Sequence, residues 1–173
     1  MRKLILPVLL LPLLAGPAVG QALKNHDSNA PVDVEADRIE VQDRADRAMF
    51  VGNVRVQQAG MTLTSARLTV AYANGAGSGI EIERLDATGG VVVTKADQTA
   101  RGNVAIYDLP KKIITMVGGV SLTQGTSRVN GGRLVIDLNT GRSVVDGSAF
   151  GAPGVQGGTG GRVTGRFTVK KGS

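Results

Sequence analysis

Three stretches of the sequence share the pattern that decides the fold: Phe50-Val51-Gly52-Asn53-Val54-Arg55-Val56, Ala87-Thr88-Gly89-Gly90-Val91-Val92-Val93 and Met116-Val117-Gly118-Gly119-Val120-Ser121-Leu122. Each is an apolar stretch, a Gly-Asn or Gly-Gly pair, and a second apolar stretch. Glycine and asparagine adopt positive φ more readily than other residues, so each pair predicts a tight hairpin or a β-bulge. A recurring unit of this kind predicts a fold made of repeated strands.

The sequence around these stretches alternates between apolar and polar residues with a period of two. Val32 to Asp37 and Leu134 to Leu138 are examples, and Val, Ile and Thr dominate such runs, as is typical of half-buried strands. We find no convincing amphipathic helix after residue 20. The spacing between repeats drifts from 37 to 29 residues, which argues against a strict solenoid. The patterns predict an all-β protein, either a jelly roll or an elongated stack of meandering strands.

The two ends of the chain differ in composition from its middle. Residues 1–20 carry basic residues, an apolar run and small residues, the pattern of a cleaved signal peptide, which predicts export. A polar, flexible leader is expected at 21–30 and one β-domain at 31–150. Residues 151–173 read as a Gly-rich basic tail.

Charge and composition limit the classes of function. Between residues 21 and 150 there are 14 Lys and Arg against 14 Asp and Glu, so this part of the chain is neutral overall, which argues against binding to nucleic acid. There is no cysteine, and the single histidine, His26, is expected to be solvated in the leader. No nucleotide-binding motif is present, and no cofactor is predicted. The aliphatic inward faces suit acyl chains, although such residues also fill ordinary dry cores.

An enzymatic alternative rests on three acidic residues. Asp33, Glu35 and Asp37 share one face of the first predicted strand. Such a group is compatible with a calcium ion or with polysaccharide cleavage. Acidic residues on a solvent-facing strand edge also protect against aggregation, which is the more common reason for them.

Several motifs, taken in order, resemble the LptA (OstA-like) family of periplasmic lipopolysaccharide transport proteins. They are Pro31 to Asp37, Phe50 to Gln58, Tyr107 to Lys112 and Met116 to Gly125. The resemblance implies a twisted β-jelly roll, open at both ends, whose apolar interior holds the acyl chains of lipid A. It further implies a periplasmic, non-enzymatic carrier that binds lipopolysaccharide, associates head to tail, and meets LptC-like inner-membrane and LptD-like outer-membrane proteins. A related structural domain that stacks without holding lipid remains the alternative.

The inward side chains are the candidate lipid contacts. The resemblance points to the N-terminal strand, and alternation adds the others: Val32, Val34, Ile39, Val41, Phe50, Val54, Val56, Met61, Leu63, Leu68, Val70, Val91, Val93, Ile106, Tyr107, Ile114, Met116, Val120, Leu122, Leu134 and Ile136. One strand is ambiguous, because the internal repeat points Ile106 inward whereas the family pattern points Tyr107 inward. A bulge near Pro110 would reconcile the two. The form of the C-terminal edge, after Asp146, is left open.

Overall fold

The computed structural model describes Leu23 and residues 25–74, 79–147 and 161–167. The predicted signal peptide at 1–20 lies outside these residues, as do three positions of the predicted leader, residues 21, 22 and 24. The part of the predicted tail at 151–160 and 168–173 also lies outside them.

The described residues form ten strands and one short 3-10 helix. The strands are antiparallel to their neighbours throughout. In chain order the elements are β1 Asp33–Glu35, β2 Arg38–Gln42, the 3-10 helix Asp43–Ala45, β3 Arg47–Gln58, β4 Met61–Asn74, β5 Ile80–Lys95, β6 Gln98–Asp108, β7 Ile113–Gln124, β8 Ser127–Asp137, β9 Arg142–Asp146 and β10 Thr164–Arg166.

The six long strands, β3 to β8, pair in sequence order, and each end of this series is covered by two short strands. At one end β1 and β2 both pair with β3; at the other, β9 and β10 both pair with β8. The C-terminal edge that the sequence left open is therefore made of β9 and of β10, which pairs with Asn130, Val129 and Arg128.

A column of bulges crosses all six long strands near their middles. Register shifts leave two residues of β3, β5 and β7 facing one residue of the following strand. We call this column the fold line; it comprises Gly52-Asn53, Ala66, Gly89-Gly90, Asn103, Gly118-Gly119 and Gly132. The repeated pairs are thus bulges inside long strands. The two-residue hairpin turns lie elsewhere, at 59–60, 96–97 and 125–126.

The strands bend at the fold line, and their halves form two layers. Layer A contains β1, β10 and the half-strands next to the turns at 59–60, 96–97 and 125–126; layer B contains β2, β9 and the other halves. Tyr107 of layer B lies in the same cross-strand row as Ala48. If β3 were straight, Gln58, at its layer A end, would lie roughly 33 Å along the strand from Ala48. Gln58 would then be at least as far from the level of Tyr107. Yet the Tyr107 hydroxyl donates a 2.9 Å hydrogen bond to Gln58 Oε1, so the layers face each other.

The two positions of each Gly pair have different steric requirements. Gly89 has φ of +86°, and a Cβ there would lie 2.6 Å from the Ala66 Cβ of the neighbouring strand. Gly90 also has positive φ, but a Cβ there would meet nothing within 4 Å. The first position therefore requires glycine, whereas the second accepts asparagine, as in Asn53.

One buried hydroxyl supports the bend from inside. Ser65 lies at the fold line in β4, and its Oγ donates a 2.9 Å hydrogen bond to the carbonyl oxygen of Arg67. That carbonyl lies just beyond the bulged residue Ala66, where the ladder is interrupted. A side chain thus satisfies a backbone group next to the interruption.

Substitutions at the Gly89-Gly90 pair test the fold line. Gly89→Ala introduces both a strained φ, at about 1–2 kcal/mol, and a clash with Ala66, at about 1–3 kcal/mol. We expect a loss of about 3 kcal/mol in the free energy of unfolding, measured by urea denaturation. Gly90→Asn, the matched control, should lose less than about 1 kcal/mol, because asparagine tolerates positive φ. Adding Ala66→Gly to Gly89→Ala should recover part of the loss; equal stability of the two single variants would contradict this explanation.

Candidate functional site

The inner faces of the two layers carry continuous rows of apolar side chains. Directly paired residues of neighbouring strands point to the same side of a sheet, so each row can be read from the register. One row of layer B spans eight strands, or roughly 34 Å at about 4.8 Å per strand. It consists of Ile39, Phe50, Leu68, Ala87, Ala105, Met116, Leu134 and Val145. Layer A has a facing row of Val34, Val56, Leu63, Val93, Ala100, Leu122 and Val129.

Most residues predicted from the sequence as inward do lie in this interior. Fourteen candidates are buried, with 5% or less of their surface exposed: Val54, Val56, Met61, Leu63, Leu68, Val70, Val91, Val93, Tyr107, Ile114, Met116, Val120, Leu134 and Ile136. Four more are partly buried and pack against them: Val32, Val34, Phe50 and Leu122. These 18 side chains come together between the two layers.

Two candidates point to the inner side of layer B, but their side chains remain exposed to solvent. Ile39 and Val41 pair with Phe50 and Ala48, and therefore point to the inner side, yet 54% and 61% of their surfaces are exposed. Both lie on β2, the edge strand of layer B, which has a neighbour on one side only. The register thus places both side chains on the predicted inner side, but the edge position of β2 leaves them exposed.

The ambiguous strand is resolved in favour of Tyr107. Ala105 and Tyr107 are buried in the core, whereas Ile106 pairs with Asp86 and Thr115 on the outer face. The inward prediction for Ile106 was therefore wrong. The bulge that changes the alternation lies at Asn103 in the fold line, and not near Pro110. Before the bulge, positions 100 and 102 face the interior; after it, Ala105 and Tyr107 do.

The interior also contains residues that the sequence analysis did not select. Leu85, Ala87, Ala100 and Ala105 are buried in the same cluster. Leu85 was detectable, since it alternates with Ala87 ahead of the second repeat. Leu23 of the leader belongs to the cluster too, with 3% of its surface exposed, and no pattern in the sequence pointed to it.

A group of polar side chains lies where the leader meets the interior. Gln58 is 2% exposed, and its Oε1 accepts hydrogen bonds from Tyr107 and contacts His26 Nε2 at 3.0 Å. Its Nε2 donates to the carbonyl oxygens of Ser28 and Ala30 at 3.1 and 2.9 Å. We call His26, Gln58 and Tyr107 the polar knot. The expectation that His26 is solvated was wrong, because Gln58 fixes its ring in a buried position.

Burial shifts the pKa of two members of the polar knot towards the neutral form. Desolvation lowers the pKa of His26 below its ordinary value, with a smaller contribution in the same direction from Lys95. Desolvation raises the pKa of the Tyr107 hydroxyl, against the effect of its hydrogen bonds. Both side chains are thus neutral at pH 7. Within the described part of the chain, the other buried polar residues are Ser65, Gln98 and Ser121, and none of them carries a charge.

Two comparisons with known proteins bear on the family. The family model described as LptA/(LptD N-terminal domain) LPS transport protein matches residues 33–142. An uncharacterized protein of Rhizobium meliloti (strain 1021) is 30% identical over 145 residues, which cover 78% of each chain. The chain belongs to the LptA/LptD N-terminal domain family. This confirms the family resemblance read from the sequence.

Solved structures agree on the fold of this LptA/LptD-type chain. LptH, the LptA homologous periplasmic component of the lipopolysaccharide transport device of Pseudomonas aeruginosa, superposes with a TM-score of 0.69 at 16% identity. The match covers 83% of this chain and 99% of LptH. The predicted all-β jelly roll, open at both ends, is confirmed.

The family also answers the question of catalysis, because its members transport lipopolysaccharide as non-enzymatic carriers. The prediction that this LptA/LptD-type chain is not an enzyme is thereby confirmed. Asp33 and Glu35 are exposed on β1, and the Asp37 carboxylate accepts a 2.9 Å hydrogen bond from Asn53 Nδ2 at the fold line. Among the described residues no three His, Asp or Glu side chains are grouped so that they could hold a metal ion.

The described residues contain no helix that is long and apolar enough to cross a membrane.

Proposed function

We propose that this protein is a periplasmic carrier that holds the acyl chains of lipid A between its two layers during lipopolysaccharide transport. The observation that carries the proposal is the pair of apolar rows on the inner faces, which run across the six long strands and carry no buried charge. An acyl chain offers no hydrogen bonds, so it requires only a continuous apolar surface. Membership of a lipopolysaccharide transport family supports this reading.

The inner side chains pack against one another, so acyl chains enter by separating the layers. Leu63 and Val93 of layer A are each 1% exposed, and Ile114 and Ile136 of layer B are fully buried. Insertion replaces contacts between the layers by contacts with acyl chains, which are equally apolar. The net gain then comes from removing the acyl chains from water, about 0.8 kcal/mol per CH₂ group.

The two edges of the sheet support a further part of the proposal, head-to-tail association and contact with LptC-like and LptD-like proteins. Both edges end in strands that have a neighbour on one side only: β1 and β2 at one, β9 and β10 at the other. Backbone groups on such edges pair readily with another chain. Ile39 and Val41, exposed on β2, extend the inner row to that edge. A partner strand placed there would continue the row into the next molecule.

Photo-crosslinking at adjacent valines tests lipid binding. Val93 points inward and is 1% exposed, whereas Val92 pairs with Thr64 and Arg101 on the outer face. We expect a photo-reactive residue at Val93 to capture lipopolysaccharide in cells, detected as a lipid A adduct, and the same residue at Val92 to capture little. Should the bulky group at Val93 disturb folding, the half-buried Val34 and its outward neighbour Glu35 provide a second pair. Equal capture by folded inward and outward variants would contradict the proposal.

Self-association is tested at the β1 edge. Val34→Lys places a charge on the inner row in the edge strand β1. We expect this variant to stay monomeric, as measured by light scattering, at concentrations where the unmodified protein self-associates. Ile80→Lys is the control, because Ile80 is exposed on β5, away from both edges. Identical concentration-dependent growth of the Val34→Lys variant would count against pairing through this edge.

A further inference from the structure

The described part of the leader lies along the open side of the folded sheet. The layers are joined on one side by the fold line, and on the opposite side their strand ends meet as two sets of turns. We call the gap between these two sets of turns the slot, and Leu23 with residues 25–30 the lid. The lid follows the slot from Gln58, at the end of β3, to Gln98, at the start of β6.

On the layer A side the lid is fixed by side-chain hydrogen bonds. Gln58, next to the turn at 59–60, donates to the carbonyl oxygens of Ser28 and Ala30. Gln98, next to the turn at 96–97, accepts a hydrogen bond from the backbone N–H of Leu23. The Leu23 side chain inserts into the apolar cluster. It thus occupies space in the interior that faces the slot.

On the layer B side the lid faces the other set of turns across a cleft. This cleft has a volume of about 290 Å³ and is lined by residues 25–29 of the lid and by Lys112 and residues 138–141 of the layer B turns. The buried His26 also lines it, and its Nδ1 has no hydrogen-bond partner within the described structure. The hydrogen bonds described above thus fix the lid to layer A, and the cleft separates part of it from the turns of layer B at 138–141.

The lid can detach without breaking any hydrogen bond between strands. Within the described ranges, the backbone hydrogen bond of the lid joins Ala30 N to Asp27 O, inside the lid itself, and no backbone bond ties it to a strand. Its links to the sheet include the burial of Leu23 in the apolar cluster and the side-chain hydrogen bonds of the polar knot and of Gln98. Water can replace the hydrogen bonds, and an acyl chain can replace the apolar contacts of Leu23. The lid precedes β1, so its movement leaves the register of the sheet unchanged.

From these contacts we infer that the lid gates the slot: lipid enters sideways between the turns of the two layers only when Leu23 and His26 leave the interior. The inference rests on the proposed function for the identity of the lipid, but not for the gating itself. In this mechanism the polar knot is the latch. Gln58 binds the lid through Ser28, Ala30 and His26, and it binds layer B through the hydroxyl of Tyr107. Entry of an acyl chain and release of the lid are then one event.

A reversible crosslink tests the gate. The sequence contains no cysteine, so His26→Cys with Gln58→Cys creates a unique pair that a short bis-methanethiosulfonate linker can join and dithiothreitol can release. The linked and released forms are compared for uptake of an apolar fluorescent dye and of fluorescent lipopolysaccharide. We expect the linked form to take up either probe at least tenfold more slowly than the released form. The control pair, Gln57→Cys with Thr62→Cys, is directly paired on the outer face of the same hairpin and should show no difference on release.

The two probes separate the possible failures. Equal uptake of the dye by the linked and released forms would overturn the gate, whatever the lipid result. Dye uptake only after release, without lipopolysaccharide uptake in either form, would support the gate and overturn the proposed function. A loss of uptake on linking in the control pair as well would overturn the gate, because the effect would then follow from linking the hairpin and not from holding the lid.

Discussion

The fold line is the constraint on which the other features of this structure depend. A flat sheet of long strands would expose one apolar face to water, whereas six strands bent at the same level bring the two halves of that face together. The bend requires backbone with positive φ, which the Gly-Asn and Gly-Gly pairs supply in β3, β5 and β7. It also requires close approach between strands, which is why Gly89 lies against Ala66 and Gly118 against Asn103.

The bend also determines the chemistry of the interior and its points of access. An interior made from two layers of one sheet is closed along the fold line, continuous across the strands, and open at the edges and along the slot. Its lining is mainly apolar, because the inward residues of the alternating strands are mostly apolar, and the polar knot lies at the slot, where Gln58 and Tyr107 meet. An uncharged interior of this shape is the basis of our proposal that the protein holds acyl chains, which have no polar groups to satisfy. The lid lies along the slot, and we propose separate roles for the two kinds of opening: contact with neighbouring molecules at the edges, and entry of lipid at the slot.

Much of this was predictable from the sequence, for identifiable reasons. Alternation and the glycine pairs predicted the strands, the all-β class and most of the inner face, because a period of two is a local property of a strand. The facing of Ile106 was not predictable, because it depends on a bulge at Asn103, whose position is set by pairing with β5 and β7. The exposure of Ile39 and Val41 depends on β2 being an edge strand, which is a property of the whole sheet. The burial of His26 and Leu23 follows from contacts with Gln58 and Gln98, which are distant in sequence, and a polar leader carries no periodic signal for them.

The apolar surface created by the bend is where we propose that the acyl chains of lipopolysaccharide are held. A native mass spectrum of the protein, purified from the periplasm of a lipopolysaccharide-producing cell, tests this lipid binding directly. We expect a population whose added mass equals that of a lipid A-bearing molecule, and we expect denaturation to release this mass. A spectrum of folded protein that carries no lipid, from cells in which the chain supports transport, would contradict this proposal.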